Sequence, residues 1–349
     1  MLVHVPQFLI TAQLPGTVQR IADHGSLGVQ LFFVMSAFTV AMSLHGRAGE
    51  PLRNFFIRRF FRIAPLYYCA LAYYLWQDGL GARYWLGDAP RVTAANIAST
   101  VFFVSGFHSQ WINSTVPGGW SIAVEMSFYV LLPFLMGFTN SAGRACRLFF
   151  ATTMLAIITG SLLHSFGPIG DPRMWGEYLH LFLPSQLPVF CLGLVLYRCV
   201  QNRQYDAASA ATPLLGIAAL VVVGQHITTR IPENVSFSVG FACMAYCLSI
   251  YPTRILVNRW TVFTGKLSFS LYLVHFAVLH FAARVFARPI VPIATADLAL
   301  KFVGCVGVSS LIAYATYRLV ELPGQALGAV VIERLNRSQT MAIAAAADA

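Results

Sequence analysis

Apolar stretches long enough to cross a bilayer recur along the whole chain, separated by short polar loops, and this pattern limits the fold more than any other feature. A transmembrane helix needs about 20 mostly apolar residues. Nine stretches approach or meet that length: 27–44, 63–78, 118–138, 147–165, 180–198, 209–225, 235–251, 268–286 and 297–317. Residues 1–14 are apolar but too short to cross alone, and 93–108 form another short apolar stretch. Only 10% of the residues are charged and 57% are hydrophobic. Soluble domains carry about 25% charged residues because their surface faces water. The missing charge implies a surface covered by lipid, hence an all-α, polytopic membrane helix bundle.

Charge placement sets the span count and the orientation. We take 93–108 to lie at the interface and 1–14 to be the remnant of a truncated first span. The loops 45–62, 139–147, 198–208, 252–267 and the C-terminal tail then fall on one side. That side holds 15 of the 23 Lys and Arg but 5 of the 13 acids, so the net +10 sits on one face. Cytoplasmic loops collect Lys and Arg. The reading is therefore about ten spans with both termini cytosolic, and counting 93–108 as a span would mix the charges. In a soluble protein a +10 charge would suggest nucleic acid; here topology accounts for it, and no nucleic-acid partner is expected. Residues 1–337 read as one membrane domain, and 338–349 as a flexible Ala-rich tail. No cleavable signal pattern opens the chain, and no internal repeat of the transporter kind is visible. The seven cysteines fall mostly in apolar segments without accompanying His or acids, so no metal site is expected.

Ionisable side chains inside a span are costly and mark functional sites by default. His4, Glu125 and His275 are the main ones. His4 in an apolar helix also fits a packing role, and Glu125 in PGGWSIAVEMSFYVLLPF also fits a structural ion pair with an Arg. Trp120 reads as an interfacial anchor, which places Glu125 about 7–8 Å inside by helix rise. Ser268, Tyr272 and His275 share a helix face and permit an interhelical hydrogen-bond network. In RNFFIRRFFRIAPLYY, Arg58 and Arg62 are one turn apart, and Arg59 and Arg62 are neighbours. Such a cluster grips phosphate, either of a ligand or of membrane lipid head groups.

Four segments, in order, resemble the acyltransferase-3 family of integral membrane O-acyltransferases. They are LGVQLFFVMSAF (27–38), FFIRRFFRIAPLYY (55–68) with Arg59 and Arg62 as the family's Arg-x-x-Arg, GWSIAVEMSFYVLLPF (119–134), and GKLSFSLYLVHFAVL (265–279) followed by YRLVELP (317–323). Ala37 replaces the family's Gly. The resemblance implies a ten-span core that moves an acyl group, commonly acetyl from acetyl-CoA, to the hydroxyl of a glycan or other cell-envelope or secreted acceptor. It implies a catalytic His in the first span with an Arg eleven residues before it. His4 fits the His place, and the Arg position falls before Met1. By resemblance, His4 and Glu125 are catalytic, Arg58, Arg59 and Arg62 hold the CoA phosphates, and Ser36, Trp120, Tyr272 and His275 face the acceptor. The bacterial cytoplasmic (inner) membrane is the expected location. A glycan or lipid transporter, or an inactive homologue, shares the spans and the buried polar residues. Aromatics of the outer loops 78–117 and 166–180, including Tyr84, Trp85, Trp111, Trp175 and Tyr178, suit either sugar stacking or interfacial anchoring.

Overall fold

The computed structural model describes all residues except 11–12, 84–88, 90, 202–215, 217–231, 287 and 348–349. The expected span 209–225, together with Tyr84 and Trp85, therefore lies outside the described residues apart from Gly216. The described chain is helical: α1 His4–Leu9, α2 Gly16–Asp23, α3 Gly28–His45, α4 Leu52–Asp78, α5 Ala94–Val101, α6 Gly119–Phe138, α7 Ala142–Ser165, α8 Pro172–Leu181, α9 Leu183–Gln201, α10 Glu233–Ile250, α11 Arg259–Lys266, α12 Ser268–Val285, α13 Ala294–Thr316 and α14 Leu322–Ala347. A π-helical turn, Tyr317–Glu321, joins α13 to α14. Among the described residues, seven helical segments are long and apolar enough to cross a membrane: Gly16–His45, Gly119–Phe138, Ala142–Ser165, Pro172–Gln201, Glu233–Ile250, Ser268–Val285 and Ala294–Gln339. α4 is also long enough, but its arginines and tyrosines lower its hydropathy. α5 has only 8 residues, about 12 Å by helix rise, and cannot cross.

The helices wear their apolar side chains outward. On α7 the exposed face carries Phe150, Met154, Ile158 and Leu162 at four-residue spacing, while Ala145, Thr152, Thr153 and Ala156 face the bundle. A soluble helix shows the reverse, so this stripe is a lipid face. Inside, the rings of Phe33, Phe190 and Phe128 stack in sequence at 4.4 and 4.1 Å between centroids, tying α3, α9 and α6 together. α3 and α9 approach so closely that a Cβ on Gly193 would lie 2.6 Å from the Cβ of Ala37. The small residue that this crossing needs is thus supplied by α9, opposite Ala37.

α1 is too short to hold its own place, and tertiary contacts seat it. Val5 and Leu9 pack against Val278, Leu279, Ala282 and Leu298. Lys301 on α13 donates to the Leu9 carbonyl at 2.8 Å and pairs with Asp297 at 2.9 Å, both side chains being buried. Asp297 in turn accepts from the Ile290 backbone at 2.7 Å. This satisfied buried pair fixes the end of α1 relative to α13.

Candidate active site

The arginine run lies in the first half of α4. Arg59 and Arg62 line a cavity of about 500 Å3 with Ser36, Glu125, Tyr129 and Lys266. Glu125 is 3% exposed, and a carboxylate so buried requires donors. The Ser36 hydroxyl and the Tyr129 hydroxyl both donate to Glu125 Oε1. The Arg59 guanidinium lies 5.8 Å from the centroid of the Tyr129 ring. Arg58 does not join this cavity: it reaches Glu50 at 2.8 Å and holds that carboxyl below the usual carboxylate range. The helical turn that aims Arg59 and Arg62 inward carries Arg58 toward the 46–51 loop. Lys266, passed over in the sequence, closes the cavity at the end of α11.

A second cavity, of about 230 Å3, is lined by His4, Ser121, Tyr272 and His275. The two imidazole centroids are 5.5 Å apart. His275 Nδ1 is 2.6 Å from the Tyr272 carbonyl, so that nitrogen carries the hydrogen and Nε2 holds the lone pair. Nε2 is buried without a hydrogen-bond partner among the described residues. His4 Nδ1 lies 3.1 Å from Gln7 Oε1, and the same assignment leaves its Nε2 as the basic atom. The Tyr272 hydroxyl donates to the Gly118 carbonyl at 2.7 Å and is 2.9 Å from Ser121 Oγ. Gly118 has φ +75°, and a Cβ there would stand 2.7 Å from the Tyr272 hydroxyl. Only glycine lets this turn lie against α12.

Phe32, Ser268 and Phe269 line both cavities, so the arginine cavity and the histidine cavity abut. α6 and α12 run along the pair in opposite chain directions. Ser121, Tyr272 and His275 belong to one cavity and Glu125 to the other, with the start of α12 shared between them. Glu125 thus shares the arginine cavity with Arg59 and Arg62, and its place is not fixed by a distance from Trp120. Trp120 lines neither cavity; its ring packs edge-on against Phe33 at 5.8 Å. The reason is shared. Residues 112–119 are mostly buried, so α6 starts inside the protein, and Trp120 does not mark an interface from which depth can be measured.

The family model of the acyltransferase domain, acyltransferase-3, matches residues 1–318. The chain belongs to the acyltransferase-3 family. It is 22% identical over 332 residues to a Staphylococcus aureus (strain COL) protein named as an O-acetyltransferase, covering 86% of this chain and 52% of that one. It is 26% identical over 270 residues to the Komagataeibacter xylinus protein named as membrane-bound transacylase BcsY, covering 72% of this chain and 65% of the relative. To the acyltransferase MdmB of Streptomyces mycarofaciens it is 24% identical over 311 residues, covering 80% and 74%. The chain spans about half the length of the Staphylococcus relatives. No solved structure matches it. The family match and the outward apolar faces together make this acyltransferase-3 chain an integral membrane protein.

Proposed function

We propose that this chain transfers an acyl group, with acetyl the leading candidate, from a cytosolic acyl-CoA to a hydroxyl of a glycan or other cell-envelope acceptor. The observation that carries this reading is the contact between a cation-lined cavity and a pocket lined by two imidazoles. Arg59, Arg62 and Lys266 match the phosphates of CoA in charge, and guanidinium groups bind phosphate oxygens in pairs. The thioester then extends past Phe32 and Ser268 toward His4 and His275. Nε2 of His4 takes the acceptor hydroxyl proton as the oxygen attacks the thioester carbonyl. The tetrahedral intermediate expels the CoA thiolate, which recovers the proton from the imidazolium. His275 stands beside His4, and Glu125 holds Ser36 and Tyr129 at the donor end. The names of the three relatives, an O-acetyltransferase, a transacylase and an acyltransferase, agree with this chemistry.

The topology that goes with it has about ten spans, counting the described ones, α4, the apolar stretch 209–225 and the segment that holds α1. Both termini are cytosolic, and the membrane is the bacterial inner membrane. The test is purified protein in detergent with [14C]acetyl-CoA and an extract of cell envelopes. Acyl transfer requires donor binding and base-labile label on an envelope component. A chain that binds no acetyl-CoA and labels nothing is better read as a transporter.

A further inference from the structure

A third cavity, of about 320 Å3, lies at the far end of the same helices and is lined by Gln77, Asp78, Arg83, Phe276 and His280 among others. Three cavities are thus strung along α12 in chain order. Ser268 and Phe269 line both the arginine cavity and the histidine pocket, Tyr272 and His275 the histidine pocket alone, and Phe276 and His280 this vestibule. On α4, Arg62 and Asp78 are sixteen residues apart, roughly 24 Å along a helix axis. The vestibule therefore opens on the opposite side of the imidazoles from the donor cavity.

Phe276 is the partition. Its ring centroid is 4.5 Å from that of His4 and 4.1 Å from that of His275, yet it lines the vestibule and not the histidine pocket. The Pro117–Gly118 turn repeats the division, with Pro117 on the vestibule side and the Gly118 carbonyl bound to Tyr272.

Resting on the acyl-transfer reading above, we infer that this vestibule is the acceptor site, and that it takes a neutral polyhydroxylated ring held by Gln77, Asp78 and His280 against the face of Phe276. The chemistry of the lining selects that class. Gln77 donates to Asp78 Oδ1 at 2.9 Å, which leaves the Gln77 carbonyl oxygen and Asp78 Oδ2 as acceptors. His280 Nε2 faces the Arg284 guanidinium at 3.3 Å, so Nδ1 is its donor. Two acceptors and a donor suit hydroxyls, which give and take hydrogen bonds at once. The Arg83 guanidinium is engaged by the Thr115 carbonyl at 2.9 Å and by the Gly79 carbonyl; it offsets the Asp78 charge while bracing the walls. A site with one acid and one fixed base discriminates against strongly charged acceptors. Flat apolar faces from Phe8, Pro117 and Phe276 match the C–H faces of a sugar ring.

The experiment compares wild type, Asp78→Asn, His280→Gln and Phe276→Ala, each purified full-length, with [14C]acetyl-CoA and increasing amounts of a detergent extract of cell envelopes. Acetyl-CoA affinity is measured in parallel to report folding. Asp78→Asn and His280→Gln should need about tenfold more extract for half-maximal transfer, with unchanged acetyl-CoA affinity. Phe276→Ala should release CoA thiol faster without labelling acceptor, because water reaches the thioester. Should Asp78→Asn fail the affinity check, His280→Gln carries the comparison. Wild-type dependence on extract in the folded variants overturns the acceptor site while leaving acyl transfer standing. Absence of transfer by the wild type removes the acyl-transfer reading and the acceptor site with it.

Discussion

Three arginines stand within one and a half turns of α4, and the structure divides them by where each guanidinium goes. Arg59 and Arg62 line the cavity that holds Glu125, and Arg58 pairs with Glu50. Arg59→Ala and Arg62→Ala should each weaken acetyl-CoA binding about tenfold or more, the usual cost of losing a charge-assisted hydrogen bond. Arg58→Ala should leave affinity within about twofold, because a partly exposed ion pair contributes about 0–1 kcal/mol. Isothermal titration with acetyl-CoA separates the two classes, and equal loss in all three variants would contradict the division. Lys266→Ala belongs with Arg59 and Arg62. Sequence spacing alone joins Arg58 to Arg62, since residues four apart share a face. What spacing omits is which neighbour each long side chain can reach, and Glu50 becomes a neighbour only when the 46–51 loop folds back.

At the scale of elements, the crossing of α3 and α9 and the seat of α1 carry the load. Gly193→Ala drives a methyl group against Ala37 and the Val34 carbonyl. Overpacking of this kind costs about 1–3 kcal/mol. A lowered unfolding midpoint in detergent should follow, recovered only in part by adding Ala37→Gly, because the Val34 backbone stays. Lys301→Met strands the buried Asp297 carboxylate and frees the end of α1. Breaking a buried pair costs about 3–5 kcal/mol, and loosened α1 should also lower turnover at His4. Unchanged midpoint and turnover in Lys301→Met would show that apolar contacts alone seat α1. The apolar helices were legible because lipid demands long apolar runs, and 93–108 was legible as a non-crossing segment from the charge balance. The depth of Glu125 was not legible. Its estimate began at Trp120, and nothing in PGGWS announces that the turn is buried against Tyr272 and Phe276. The pairing of Ser36 with Glu125 and Tyr129 was hidden for a similar reason, since it joins residues 89 positions apart.

Across the whole molecule the three cavities form a path, with cations at one end, imidazoles in the middle and a polar vestibule beyond Phe276. The proposed orientation rests on the charge balance of the loops, and impermeant maleimide on intact cells tests it. A cysteine placed by Gly167→Cys, between α7 and α8, should label from outside, whereas Ser141→Cys, at the other end of α7, should label only after permeabilisation. The reverse pattern would place the arginine cavity on the wrong side for a cytosolic donor. His4 lines one cavity with Tyr272 and His275, a juxtaposition that their sequence positions, some 270 residues apart, could not reveal. The central claim is that an imidazole beside the donor cavity activates the acceptor hydroxyl. The direct measurement is the initial rate of [14C]acetyl transfer to envelope extract by His4→Ala, alongside its acetyl-CoA affinity. The account predicts a rate at least about 100-fold below wild type with acetyl-CoA affinity unchanged; transfer by His4→Ala at the wild-type rate would contradict it.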